Sequence, residues 1–192
     1  MEDREKRAAI IEGFKDDVKW FSNANKEERE RWVVEKWAAF VGRSTEEIIR
    51  GCDPPDYFVG ADAVEVVEVL PPGRKRHSEY KNVLSEVKNG QSPSIKNPDV
   101  TGTIEYAKQC GHIWLLYQVL SKIDSYLRKG HPTQKWILLA YLNIFWPTQI
   151  KWNEVEGFWK MRHQPFARLD VLFSTENGIE VRTIPFVQRE IT

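Results

Sequence analysis

Apolar residues recur at spacings of three and four over residues 2–21, where Ala8, Ile11, Phe14, Val18 and Phe21 share one face, and this period predicts a helix. A second helix is predicted from Asn25, a capping residue, with Trp32, Val33, Trp37, Phe40 and Val41 lining a face that runs out at Gly42. Ser44-Thr45-Glu46-Glu47 has the spacing of a capping box and predicts a short helix ending near Gly51. The period then changes. Asp53-Pro54-Pro55 breaks any helix, and Tyr57-Phe58-Val59, a turn at Gly60-Ala61-Asp62 and the valine-rich residues 63–70 predict a β-hairpin that Pro71-Pro72-Gly73 ends.

Residues 76–88 are charged and predict a helix, residues 90–98 a polar loop with two prolines, and residues 103–129 a long helix closing at Gly130. Residues 135–146 (KWILLAYLNIFW) are nearly all apolar and close at Pro147. That run fits a buried helix or a central strand, and its aromatic and branched residues favour the strand. Residues 168–174 and 178–187 read as two further strands around a turn at Asn177-Gly178. There is no internal repeat, low-complexity tract or linker. Helices alternating with strands predict an α/β fold: one domain over residues 1–192, a central mixed β-sheet flanked by helices, with an added N-terminal helix at residues 1–21 docked on it.

Composition narrows the class. A chain of 192 residues, 41% hydrophobic and 29% charged, can bury a core without staples and is too apolar to be disordered. Its eight tryptophans are expected mainly as core anchors, a minority as exposed stacking platforms. Lys plus Arg equals Asp plus Glu at 28 each, so no global field holds a polyanion, and any nucleic-acid contact must come from a local patch. Cys52 and Cys110 lack metal-ligand spacing and suit a reducing cytoplasm. The N-terminus mixes both charge signs, and no stretch reaches the ~20 apolar residues of a membrane span, so a cytoplasmic protein without signal peptide is expected. P-loop, dinucleotide-binding glycine and serine-nucleophile motifs are missing. His77, His112, His131 and His163 have no paired ligand spacing, and His112, beside Trp114 and Leu115, reads as a hydrogen-bonded core residue.

The segment PPDYFVGADAVEVVEVL can carry chemistry, because an aspartate at the mouth of one strand and glutamates on the next can bring Asp56 and Glu65 together. Phosphodiester hydrolysis needs hard oxygen ligands for Mg²⁺, and carboxylates on neighbouring strands supply them. Glu65 and Glu68 are an odd number apart, so they face opposite sides and at most one belongs to the site. Glu30, beside the apolar stripe of the preceding helix, can supply a third acid. The plainer reading is turn chemistry for Pro-Pro-Asp, a half-solvated strand for alternating Val and Glu, and a solvated helix face for ERER.

The run Phe21-Ser22-Asn23-Ala24-Asn25-Lys26-Glu27-Glu28-Arg29-Glu30-Arg31-Trp32-Val33, followed by Pro54-Pro55-Asp56 and Val64-Glu65-Val66, resembles a proteobacterial family described as endonucleases of the restriction-endonuclease-like fold. A looser likeness runs through the long helix, the apolar run from Trp136 to Leu142, and Phe166-Ala167-Arg168 leading into Val171-Leu172-Phe173. The resemblance implies a PD-(D/E)xK core, a mixed sheet flanked by helices that binds one or two divalent ions, Mg²⁺ or Mn²⁺. It implies Asp56 as the motif aspartate, Glu65 as the acid and Glu30 as an added helix glutamate, with DNA as partner; homodimers are common in that fold.

The chain departs from the motif where the lysine belongs. Two residues after Glu65 stands Val67, and choosing Glu68 instead puts Leu70 there. Glu86-Val87-Lys88 spells the missing pattern but lies in the charged helical segment, so it reads as a decoy. Arg74, Lys75 and Arg76 lie just beyond the strand and can grip phosphates or replace the lysine. Two expectations follow: a Mg²⁺-dependent endonuclease hydrolysing DNA phosphodiesters, or a catalytically inactive nuclease fold kept as a nucleic-acid or protein-binding module.

Overall fold

Strands of this chain pair in the order in which they are made. In the computed structural model, which describes residues 2–52, 54–70, 75–92, 104–130, 136–142, 150–161, 166–175 and 177–185, they form one six-stranded sheet. It comprises β1 (Ile48–Arg50), β2 (Tyr57–Val59), β3 (Asp62–Val69), β4 (Trp136–Leu142), β5 (Arg168–Thr175) and β6 (Gly178–Pro185). β1–β2, β2–β3 and β5–β6 pair antiparallel, whereas β3–β4 and β4–β5 pair parallel, so the sheet is mixed. The tight β2–β3 turn needs a left-handed residue, which Gly60 provides at φ 58°.

The helices are α1 (Glu2–Trp20), α2 (Lys26–Phe40), α3 (Arg76–Lys88), α4 (Ile104–Lys129) and α5 (Trp152–Met161). No described helix is long and apolar enough to cross a membrane. The chain divides into two compact units, Met1–Arg31 with Gly73–Ile104, and Trp32–Pro72 with Glu105–Thr192.

In the first unit α1 packs on α3. Phe21 stacks on Tyr80 with ring centroids 5.0 Å apart, and Arg7 donates to the Val87 and Lys88 carbonyls at 3.0 and 3.2 Å, closing the C-terminal end of α3. Glu86-Val87-Lys88 is helical, as its charge predicts, and so carries no strand motif.

The second unit holds the sheet between two apolar layers. On one face Leu115, Val119, Ile123 and Tyr126 of α4 and Val155 and Trp159 of α5 meet Val69, Leu138, Ala140, Leu142, Leu169 and Val171. On the other, Val33, Val34, Trp37 and Ala38 of α2 meet Tyr57, Val59, Val64, Val66, Ile137, Leu139 and Leu172. Both parallel crossovers advance in one direction along the sheet, and right-handed crossovers then place their helices on one face. The α/β architecture with helices flanking a mixed sheet is therefore as the sequence predicts.

Three local readings differ. The Ser44 capping box exists, with Glu46 N–H on Ser44 Oγ at 3.2 Å and Ser44 N–H on Glu47 Oε1 at 3.0 Å, but it caps only one 3₁₀ turn, Thr45–Glu47. The branched residues Ile48 and Ile49 then pair with β2 in place of a helix reaching Gly51. Helix α5 has no counterpart in the expected elements, because its buried pair Val155 and Trp159 is set among charged residues and Gly157. The face of α2 is also turned: Val34 and Ala38 are buried, while Phe40 and Val41 are exposed. Residues 93–98 of the expected loop, 143–146 of the apolar run and 186–187 of the last strand lie outside the described residues.

Candidate active site

Asp56 enters the site from a turn that ends in strand pairing. The Pro54–Pro55 peptide is cis, and Gly51 N–H donates to the Asp56 carbonyl at 2.8 Å, extending the β1–β2 ladder by one step. Gly51 has no alternative as a residue type here: a Cβ would lie 1.9 Å from the Pro55 carbonyl oxygen. Glu65 sits at the centre of β3, directly opposite Leu138 of β4. Val64 and Val66 belong to the α2 layer and Val67 and Val69 to the α4 layer, so Glu65 points towards α4 and Glu68 to the other face. The parity argument from the sequence therefore holds, and Val67 is an apolar neighbour of the core.

Asp56 and Glu65 are brought together and lock one another. Asp56 N–H donates to Glu65 Oε2 at 3.2 Å, and Val66 N–H donates to Asp56 Oδ2 at 2.8 Å. Each carboxylate thus fixes the backbone of the other's strand. The pair is almost entirely enclosed, with Asp56 3% and Glu65 0% exposed. Burial pushes the Glu65 carboxyl above the ordinary carboxylate range; the Lys122 ammonium pulls it back, the Asp56 charge raises it again, and hydrogen bonds from Lys122 and Tyr126 oppose the rise.

Lys122 is the residue that the sequence left unassigned. Its Nζ stands 2.5 Å from Glu65 Oε1, and its ammonium lies 5.5 Å from the centre of the Tyr126 ring. It belongs to α4, not to the strand, so a cation reaches the acid from across the layer while Val67 fills the strand position. The signal was present in the sequence: Leu115, Val119, Lys122 and Tyr126 follow spacings of four, three and four, which puts a lysine on the buried stripe. With 28% of its side chain exposed, Lys122 is the solvent-facing member of the cluster.

Glu30 and the basic residues 74–76 lie in the first unit. Glu30 does point inward, with 13% of its side chain exposed, and pairs with Lys26 at 3.2 Å. Arg74 is outside the described residues; Lys75 is exposed, and Arg76 opens α3 with its guanidinium 4.9 Å from the Phe21 ring. His112 is a core histidine as expected, its Nε2 3.2 Å from Glu154 Oε2.

The donor chemistry fits a hard divalent cation. The two carboxylates each commit one oxygen to a backbone N–H, which leaves Asp56 Oδ1 open to a cation, while Glu65 Oε1 holds the Lys122 ammonium that an entering ion would have to displace. Mg²⁺ is commonly held by one or two carboxylates, with water and phosphate oxygens completing its shell, so a third acid is not required. Among the described residues there is no group of three or more His, Cys, Asp or Glu that could hold a metal.

A family model described as "Putative endonuclease, protein of unknown function (DUF1780)" matches residues 2–166. The chain belongs to that family. The match runs from α1 to just before β5 and includes Asp56, Glu65 and Lys122, and the family's description fits a nuclease in general. No curated protein matches the chain significantly. A solved structure from Pseudomonas aeruginosa strain PAO1, a protein of unknown function ascribed to the monooxygenase superfamily, is similar at a TM-score of 0.52 and 17% identity, over 97% of this chain and 87% of that one. At that identity the likeness bears on the fold alone, and the α/β arrangement is what the two share.

Proposed function

We propose that this family member is a divalent-metal-dependent endonuclease of the restriction-endonuclease-like type, hydrolysing DNA phosphodiester bonds at Asp56, Glu65 and Lys122. The observation that carries the reading is the cluster itself: two buried carboxylates, one from the turn before β2 and one from β3, with a lysine ammonium on the second of them. That is the charge set phosphodiester hydrolysis uses, with the lysine contributed by α4 where the motif position holds Val67.

Asp56 and Glu65 would hold Mg²⁺ or Mn²⁺, which when bound neutralises charge on the phosphate and lowers the pKa of its water. Water adds to phosphorus, the ester oxygen leaves, and negative charge accumulates on the non-bridging oxygens. Lys122 faces that charge from the solvent side of Glu65 and stabilises it through a fixed, partly desolvated ammonium. Tyr126, one helical turn further along α4, steadies the ammonium over its ring and hydrogen-bonds Glu65. The reaction is tested by incubating supercoiled plasmid with Mn²⁺ or Mg²⁺ and wild type, Asp56→Asn or Lys122→Met. Nicking by wild type, lost in Asp56→Asn and lowered about 10²–10³-fold in Lys122→Met, is expected. Equal nicking by all three proteins contradicts the reading.

A second reading, a catalytically inactive fold retained for binding nucleic acid or protein, draws on the complete burial of Glu65 behind Lys122. Under it the ion pair is a structural bolt between β3 and α4, and wild type leaves the plasmid intact at any metal concentration.

A further inference from the structure

Next to the carboxylate pair the sheet carries an apolar row that no catalytic step uses. Ile49 lies opposite Phe58, Phe58 opposite Ala63, and Ala63 opposite Trp136, so four side chains from β1 to β4 stand in line on one face. Ala63 is two residues before Glu65 on β3, so this is the face to which Glu65 points. The row changes from buried to open along its length. Trp136 packs edge-on against Tyr126 with centroids 6.1 Å apart, Ala63 is buried, Phe58 is 37% exposed and Ile49 is 64% exposed. Phe58 follows Asp56 by two residues, which puts an exposed aromatic ring one strand repeat, roughly 6.6 Å, from the acid.

Scattered exposed apolar residues need no explanation, but Ile49 on the edge strand β1 stands directly opposite Phe58 on β2, and an apolar edge of this kind invites unwanted pairing. Continuity with the acid site and the charge around it determine the occupant. The row adjoins the Lys122 ammonium on one side, whereas Arg50, next to Ile49 on β1, alternates to the other face and lies over the Tyr57 ring. A ligand lying here meets the Lys122 ammonium at its backbone and an apolar ring one step away. That combination suits a nucleotide chain whose bases are unstacked, because an aromatic ring stacks on any base face, whereas a duplex keeps its base faces inside.

We propose that Phe58, supported by Ile49, is a stacking platform for the base beside the scissile phosphate, and that the substrate is therefore single-stranded or locally melted nucleic acid. The proposal deepens the nuclease reading and rests on it for the position of the phosphate.

The test titrates the full chain, without metal, with a short fluorescent single strand and with the same sequence as a blunt duplex, then follows cleavage of both in Mn²⁺. Wild type, Phe58→Ala, Phe58→Trp and Asp56→Asn are compared. Tighter binding of the single strand is expected, weakened about tenfold in Phe58→Ala and retained in Phe58→Trp, with duplex binding unchanged by either. Equal affinity of wild type for the two forms, or a Phe58→Ala protein that binds the single strand like wild type, overturns the platform. Cleavage that needs Asp56 but ignores Phe58 and strandedness overturns the platform and leaves the nuclease reading standing. Phe58-dependent single-strand binding without any cleavage supports the platform and overturns the nuclease.

Discussion

A carboxylate with no exposed surface is stabilised only by what surrounds it, and around Glu65 those groups are the Asp56 amide, the Lys122 ammonium and Tyr126. Its carboxyl is held above the ordinary value of 4.5, first by burial. The linkage has a definite sign. Below pH 4.5 the group is protonated in both folded and unfolded chains; as pH rises towards its raised value the unfolded chain releases the proton first, so stability falls through that window. Urea midpoints of wild type, without metal, are therefore expected to decline from mildly acidic towards neutral pH. Glu65→Gln should remove much of that decline. Lys122 competes with any cation for the same carboxylate, so Lys122→Met is expected to bind Mn²⁺ more tightly by calorimetry even as it cleaves more slowly. The meeting of Asp56 and Glu65 was legible in the sequence, because a hairpin puts the mouth of one strand beside the next, and alternation separates Glu65 from Glu68. Lys122 was not, because its partner lies on a strand far away in the chain and only the layer of α4 on the sheet joins them.

Among the elements, the turn from Gly51 to Asp56 and the helix α2 hold the site in place by different means. Gly51 has no room for a side chain against the Pro55 carbonyl, 1.9 Å from where a Cβ would stand. Gly51→Ala must shift that turn, and metal affinity is expected to fall about 10–100-fold with far-ultraviolet circular dichroism unchanged. Helix α2 is pinned by Trp37, whose Nε1 donates to Asp170 Oδ2 at 2.7 Å, an oxygen that Arg168 Nε also meets at 3.1 Å. Asp170 is fully buried, so Trp37→Phe takes a donor from a charge that water cannot reach, and a loss of about 1–3 kcal/mol is expected in chemical denaturation. Long periodic elements such as α1, α3 and α4 were legible almost to their ends. The misread ones are short. β1 gains its strand identity only by pairing with β2, and α5 is a ten-residue helix whose apolar face, Trp152, Val155 and Trp159, is interrupted by charges and Gly157.

At the scale of the whole molecule, zero formal net charge limits how strongly the proposed DNA substrate would be held. With few phosphates neutralised, the affinity for DNA should fall gently with salt, at a slope of about −1 to −3 in log–log form. A steeper slope would mean a basic surface beyond Lys122 and its neighbours. The sequence pattern yielded the α/β class, the mixed sheet and the hairpin that carries the acids, since each rests on local period and turn chemistry. The division into two compact units was not legible, because each unit joins segments that are distant in the chain. The proposed hydrolysis requires that Asp56 and Glu65 hold a divalent ion. The most direct measurement is a calorimetric titration of wild type, Asp56→Asn and Glu65→Gln with Mn²⁺. Saturable binding to wild type, lost in both variants while both remain folded, is the expected result. Binding that survives both substitutions, or no binding to wild type at millimolar metal, would contradict it.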